Sequence, residues 1–252
     1  MRTRIHLPLA LFLASLCVAQ LLAAPSPSKV VSQEIHSTRF AQSKIGTSPV
    51  RKMMVYLPAG YDDSSTRYPV IYFFPDSFAD YNDPFDHKGA EGLFDRAIAA
   101  GTIGKFILVD VDMNTPLGSS WCVNSPATGN WEDFMVEEMK PYIDANFKTL
   151  PNRESQGVAG EFMGGYCALR FGMRHPEVFG SVYALHPVGT GSGLKVMDSL
   201  PNWDLMTHAK SLDDVRKDGY SPIFASIFQA HLPNPDKPPL FIEMPHTKWG
   251  TS

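Results

Sequence analysis

Pro69-Val70-Ile71-Tyr72-Phe73-Phe74 is an unbroken run of apolar, largely β-branched and aromatic residues that leaves no polar side chain to face water. A strand of this kind must be buried on both faces, which happens in parallel sheets covered by helices. A second apolar run, broken only by Asp110, spans residues 106–111, and a short one, Gly157-Val158-Ala159, follows. Helical patterns alternate with them. Residues 86–100 lead into a helix, and residues 130–147 place Trp131, Phe134, Met135, Met139, Tyr142, Ile143 and Phe147 three or four apart, with Asn130 positioned as a cap. Residues 163–175 read as a helix, 181–185 as a strand, and 240–243 as another. Earlier in the chain the first β signal is residues 53–57. Strands alternating with helices predict an α/β fold with a mostly parallel central sheet and helices on both faces.

The chain has 252 residues, 44% of them apolar and 19% charged, enough to bury one full core. A net charge of −4, with no block of basic residues, excludes the electrostatic footprint of a nucleic-acid binder. Residues 1–24 have a basic start (Arg2, Arg4), an apolar run and small residues at Ala23 and Ala24, the layout of a secretory signal peptide rather than a span of about 20 apolar residues. The expectation is a secreted or periplasmic protein without a membrane span, with residues 25–49 as an N-terminal linker and first strands and residues 50–252 as one domain. The mature chain would keep Cys122 and Cys167. In an oxidising compartment they can pair, but Cys167 falls where a helix faces the sheet, and a small buried thiol is the default there.

In an open α/β sheet ligands bind beyond the carboxyl ends of the strands. The residues that follow them are Pro75-Asp76-Ser77, Asp110 and Asp112, Gly160-Glu161-Phe162-Met163-Gly164-Gly165, and His186-Pro187. A strand, a glycine-flanked turn and a helix form the setting of a nucleophile elbow, G-x-S-x-G. Here the serine position is Phe162.

Val55-Tyr56-Leu57-Pro58-Ala59-Gly60-Tyr61, Tyr68-Pro69-Val70, Asn124-Ser125-Pro126, Gly129-Asn130-Trp131-Glu132-Asp133, the stretch from Gly160 to Leu169, and His175-Pro176 with Phe179-Gly180 resemble, in order, the esterase family of α/β-hydrolases that includes esterase D, feruloyl esterases and mycolyltransferases. The resemblance implies an α/β-hydrolase fold and ester chemistry by descent. It also implies a Gly-His-Ser-Met-Gly-Gly elbow, and this chain carries phenylalanine in place of the nucleophile. Met163, and Ser77 in the segment matching the family's His-Gly, are the implied oxyanion N–H donors. The family's acid and histidine follow its last two strands, and no matching pair follows residues 240–243; His246 reads as an incidental surface histidine. The expected fold therefore lacks the family's last strand and helix, which would leave an apolar sheet edge open to self-association.

Loss of a triad serine costs about 10⁶ in turnover, roughly 8 to 9 kcal/mol. The expectation is a protein without ester hydrolase activity that binds a small ester or sugar-type ligand, or a partner, in the old cleft. The alternative is an active ester hydrolase or acyltransferase with an unconventional nucleophile, for which Ser77, Ser125 and Cys167 are the candidates. Asp76, Asp112, Glu161 and His186 share one sheet edge and could form an acid/base or cation site, although no ligand spacing ties them together and neither metal nor cofactor is expected. Trp121 and Trp131 could flank an aryl or sugar ligand or simply pack. Since an elbow residue is costly to hold in strained geometry, Phe162 is expected either to relax or to plug the pocket floor.

Overall fold

A computed structural model describes residues 24–76, 79, 81–189 and 200–245. Six strands form the central sheet: β1 (Lys29–His36), β2 (Val50–Leu57), β3 (Val70–Phe74), β4 (Ile107–Val111), β5 (Gln156–Glu161) and β6 (Ser181–Leu185), in spatial order β1-β2-β4-β3-β5-β6. β1 and β2 pair antiparallel, as do β2 and β4, whereas β4, β3, β5 and β6 are all parallel. Register is fixed at Val70↔Ile107, Val70↔Gln156 and Ser181↔Gly157, so the parallel strands end together and present Phe74, Val111, Glu161 and Leu185 at one edge.

Helices cover both faces, as the double-sided apolar runs require. On one face α1 (Ala90–Ala99) places Phe94 and Ile98 against Tyr56, Phe106 and Leu108. The helix expected over residues 86–100 is interrupted because Gly89, at φ 62, breaks it from the preceding single turn Asp83–Asp86. On the other face lie α2, spanning residues 131–146, and α3 (Met163–Arg174), whose buried residues include Phe134, Met139, Ile143, Cys167 and Phe171. α2 changes to π-helical turns over Phe134–Met139, just before Pro141, which cannot donate to the preceding turn and crowds its carbonyl. Its cap is not the Asn130 side chain: Asn124 Oδ1 accepts from the N–H groups of Glu132 and Asp133 at 2.9 and 3.2 Å.

Between β4 and α2 the chain forms two small ladders, Asn114–Thr115 with Gly118–Ser119 and Asn124–Ser125 with Gly129–Asn130. A smaller second core sits over this excursion. It is built from α4 (Trp203–His208), α5 (Leu212–Val215) and α6 (Ser221–His231), which bury Met206, Val215, Phe224 and Phe228 with Leu117, Leu240 and Ile242. α6 packs on the ladder strands Gly118–Ser119 and Asn124–Ser125.

Three expectations are corrected. Residues 29–36 form β1 within the 25–49 stretch expected to hold a linker and first strands, so the first strand lies ahead of the β signal at residues 53–57. Residues 240–243 do not join the sheet: Ile242 makes a single antiparallel bridge to Pro233 across a turn, and the residues serve the second core. Cys167 is not a free thiol but is bonded to Cys122, with Cα atoms 5.5 Å apart, and so ties the loop excursion to α3.

Candidate active site

The β5–α3 turn is held from several directions. A Cβ on Gly160 would lie 2.1 Å from the Gly164 oxygen, and one on Gly164 would lie 1.8 Å from the Phe74 oxygen, so only glycine lets α3 sit this close to the strand ends. Phe162, between them, has φ 55 and ψ −108. Its N–H donates to the Leu185 oxygen at 2.9 Å, and its own oxygen accepts from Tyr166 N at 3.2 Å and Val188 N at 3.1 Å. The backbone thus keeps the sharp presenting turn of an elbow, while the presented side chain carries no nucleophile. Phe162 neither relaxes nor plugs a pocket floor: its φ is positive and it is 36% exposed. The flanking glycine contacts and backbone hydrogen bonds set this turn irrespective of side chain, and an elbow directs that side chain outward.

The other sequence-selected residues do not converge. Glu161 lies 3.7 Å from Lys88 Nζ. Asp112 is paired with Arg51, whose guanidinium also donates to the Asp112 and Asn114 carbonyls at 3.2 and 3.1 Å, making this acid a brace for the loop after β4. Trp131 is fully buried, packed on Phe40 at 4.4 Å between centroids, with Arg51 over its ring at 4.9 Å, so it is a core residue and lines no open cleft. His186 is exposed with φ 45. The Asp76 oxygen accepts from Ala79 N at 2.9 Å in the turn after β3. Met163 opens α3 with its side chain buried beside Trp121 and Ala230. Ser77, His246 and residues 1–23 lie outside the described residues. Among the described residues, no group of three or more His, Cys, Asp or Glu is placed to hold a metal ion.

Two of the three substitute nucleophiles are spoken for. The Ser125 hydroxyl is buried, donates to the Gln229 oxygen and accepts from Ala127 N at 3.2 Å. Cys167 is consumed by its disulfide. What does flank the elbow is aromatic: Tyr166, one turn beyond Phe162, meets the edge of Trp121 at 5.6 Å, and Trp121 is fixed by a 2.9 Å hydrogen bond from Nε1 to Ser226 Oγ.

A buried ion network holds the elbow helix in place. Glu132, 5% exposed at the start of α2, accepts from Arg170 at 2.7 Å, Arg174 at 2.6 Å and His175 at 2.9 Å, all at the far end of α3. Burial alone would raise its carboxyl, but the hydrogen bonds from Arg174, Arg170 and His175 outweigh that and hold it below the ordinary value. Glu132 and His175 fall in separate sequence motifs that carry no sign of their pairing; arginines four apart on a helix whose other face is apolar are the available signal.

This arrangement, a mostly parallel sheet whose interior strand β5 feeds a glycine-locked elbow and a buried helix, defines an α/β-hydrolase. A family profile described as "Putative esterase" matches residues 47–218, well over half of the chain, and the chain belongs to that family. Among curated proteins it is 32% identical over 148 residues to Esterase Rv1288 of Mycobacterium tuberculosis (strain ATCC 25618 / H37Rv), covering 57% of this chain and 30% of that protein. Among solved structures it is similar to a ferulic acid esterase (TM-score 0.58, 24% identity, 65% of this chain and 59% of that one). It is also similar to the ferulic acid esterase AmCE1/Fae1A of Anaeromyces mucronatus in complex with ferulic acid (TM-score 0.52, 22% identity, 64% and 59%). These structural likenesses show the shared fold, and the chain's match spans under a third of the curated relative. No helix among the described residues is long and apolar enough to cross a membrane.

Proposed function

We propose that this protein is a secreted member of the esterase family that does not hydrolyse esters and instead binds a small aryl-ester or sugar-type ligand beside the elbow. The observation that carries the reading is Phe162: the presenting backbone persists, and a half-exposed aromatic ring stands where a nucleophile would. Without an activated hydroxyl, acyl transfer has no first step. The ring stands one helical turn from Tyr166, which leans on Trp121, and such faces suit a planar ligand. Secretion is supported by the signal layout of residues 1–24 and by the Cys122–Cys167 disulfide, which persists in an oxidising compartment. Titration calorimetry of the mature protein with ferulic acid and methyl ferulate tests the reading: binding without ester turnover, weakened at least tenfold by Phe162→Asp, is expected. Turnover of methyl ferulate, or unchanged binding in the variant, would overturn it.

A second reading concerns assembly. Among the described residues β6 pairs only with β5 in the sheet; it carries no charge or proline over Ser181–Leu185 and exposes Val182, Tyr183 and Leu185 (43, 66 and 39%). An uncharged edge strand is self-complementary in antiparallel register, so a second copy is the occupant proposed here. Light scattering should show a dimer that Tyr183→Lys with Val182→Lys returns to monomer; a monomeric parent protein refutes this.

A further inference from the structure

Asp110 lies one residue from the end of β4, between Met54 of β2 and Phe73 of β3 across the ladders. By the two-residue period of a strand it shares a face with Leu108, the face covered by α1 and the turn before it. It is 0% exposed, and among the described residues neither carboxyl oxygen meets a hydrogen-bonding side chain, while the adjacent Val111 N–H favours its charged form only slightly. Buried polar groups are nearly always paired, and an ionised carboxylate without partners in such a site is costly.

The groups that act on it are few. Asp83 and Lys88, on the segment before α1, and Asp112, just beyond the end of β4 and already occupied by Arg51, act on its charge electrostatically. α1 turns Glu91 and Asp95 to the Ser28 hydroxyl, and its Arg96 sits in the last turn, at the opposite end of the sheet. Lys88 is therefore the nearby cation without a fixed buried role. It lies 3.0 Å from Asp83 Oδ2 and 3.7 Å from Glu161 Oε2, while His87 Nδ1 lies 3.0 Å from Asp83 Oδ1. Through Glu161 this cluster touches the residue next to Phe162.

We infer that Asp110 is a buried neutral acid that makes the Lys88 anchor pH-sensitive: once Asp110 gives its proton to solvent, Lys88 turns from Asp83 and Glu161 to neutralise it, and residues 83–88 loosen beside the elbow. Burial, with a further contribution from Asp83, pushes the Asp110 carboxyl well above the ordinary carboxylate range, which agrees with the geometry. The native state then keeps a proton that the unfolded chain has lost above about pH 4. Stability from this group is complete below that pH and is lost as pH rises through the native value.

The experiment compares the full mature chain with Asp110→Asn and Asp110→Leu in urea melts from pH 4.5 to 8.5, alongside hydrogen exchange. The ratio of the parent's unfolding constant to either variant's should rise about tenfold per pH unit until the native value is passed. The His87 and Lys88 amides, which donate to the Asp83 oxygen, should lose protection with pH in the parent protein beyond the intrinsic rate change, and keep it in the folded variant. A ratio independent of pH, or equal protection in parent and variant, overturns the inference. Should one variant not fold, the other supplies both readouts.

Discussion

Replacing Phe162 by alanine and by glycine separates backbone strain from side-chain burial, since both substitutions remove the same ring. At φ 55 and ψ −108 a residue with a Cβ occupies a region that costs on the order of 1 to 3 kcal/mol, whereas glycine enters it freely. Against this, glycine gives up about 0.5 to 1 kcal/mol to alanine through the entropy of the unfolded chain. The balance puts Phe162→Gly about 1 kcal/mol above Phe162→Ala, the reverse of the order found in ordinary helix and strand positions. With a urea m-value near 3 kcal/mol/M for a domain of this size, the midpoints should differ by roughly 0.3 to 0.5 M. Equilibrium urea melts followed by far-ultraviolet circular dichroism read this directly. A Phe162→Ala protein as stable as Phe162→Gly, or more so, would mean that the turn relaxes once the ring is gone, and that the glycine contacts and the bonds from Leu185, Tyr166 and Val188 do not hold the elbow as argued.

Two further outcomes test the frame around that turn. The Cys122–Cys167 bond closes a separation of 45 residues, so the double substitution to serine should cost about 4 kcal/mol on the chain-entropy account, read as a urea midpoint shift of more than 1 M; a loss under 1 kcal/mol would refute it. Glu132→Gln should cost about 2 to 3 kcal/mol at pH 7, below the usual figure for a broken buried pair because Arg174 is 56% exposed and its bond is screened. Because the native Glu132 carboxyl is held below its ordinary value, its contribution is present above about pH 4.5 and lost as pH falls through the native value, so the parent and Glu132→Gln stability profiles should converge in acid. Parallel profiles would contradict the assignment.

The sheet's centre was legible because its strands are continuous apolar runs and its elbow is written in glycines. Val70–Phe74, Ile107–Val111 and Ser181–Leu185 fall where the pattern puts them, and the family motifs lie in order along them. β1 was hidden because Lys29–His36 is a half-exposed edge strand whose Ser32, Gln33, Glu34 and His36 dilute the apolar signal, and its pairing with β2 depends on tertiary context. Residues 240–243 carry strand-like composition but spend it on the second core beside Pro238 and Pro239, where one bridge is all the turn permits. Cysteine spacing holds no information on whether a helix and a loop 45 residues apart come close enough to bond. Of the site, the position of Phe162 was readable and its outward ring was not, because the forces fixing the turn come from Phe74, Leu185 and Val188, each remote in sequence or dictated by register.

Whether the elbow persists without a nucleophile is read by fluorophosphonate labelling of the folded mature protein followed by intact-mass measurement, because the reagent adds covalently to an activated hydroxyl. No adduct is expected at reagent concentrations that fully label an active serine esterase run in parallel. A stoichiometric mass shift mapping to a single serine, Ser77 above all, would contradict it and establish an esterase with a relocated nucleophile.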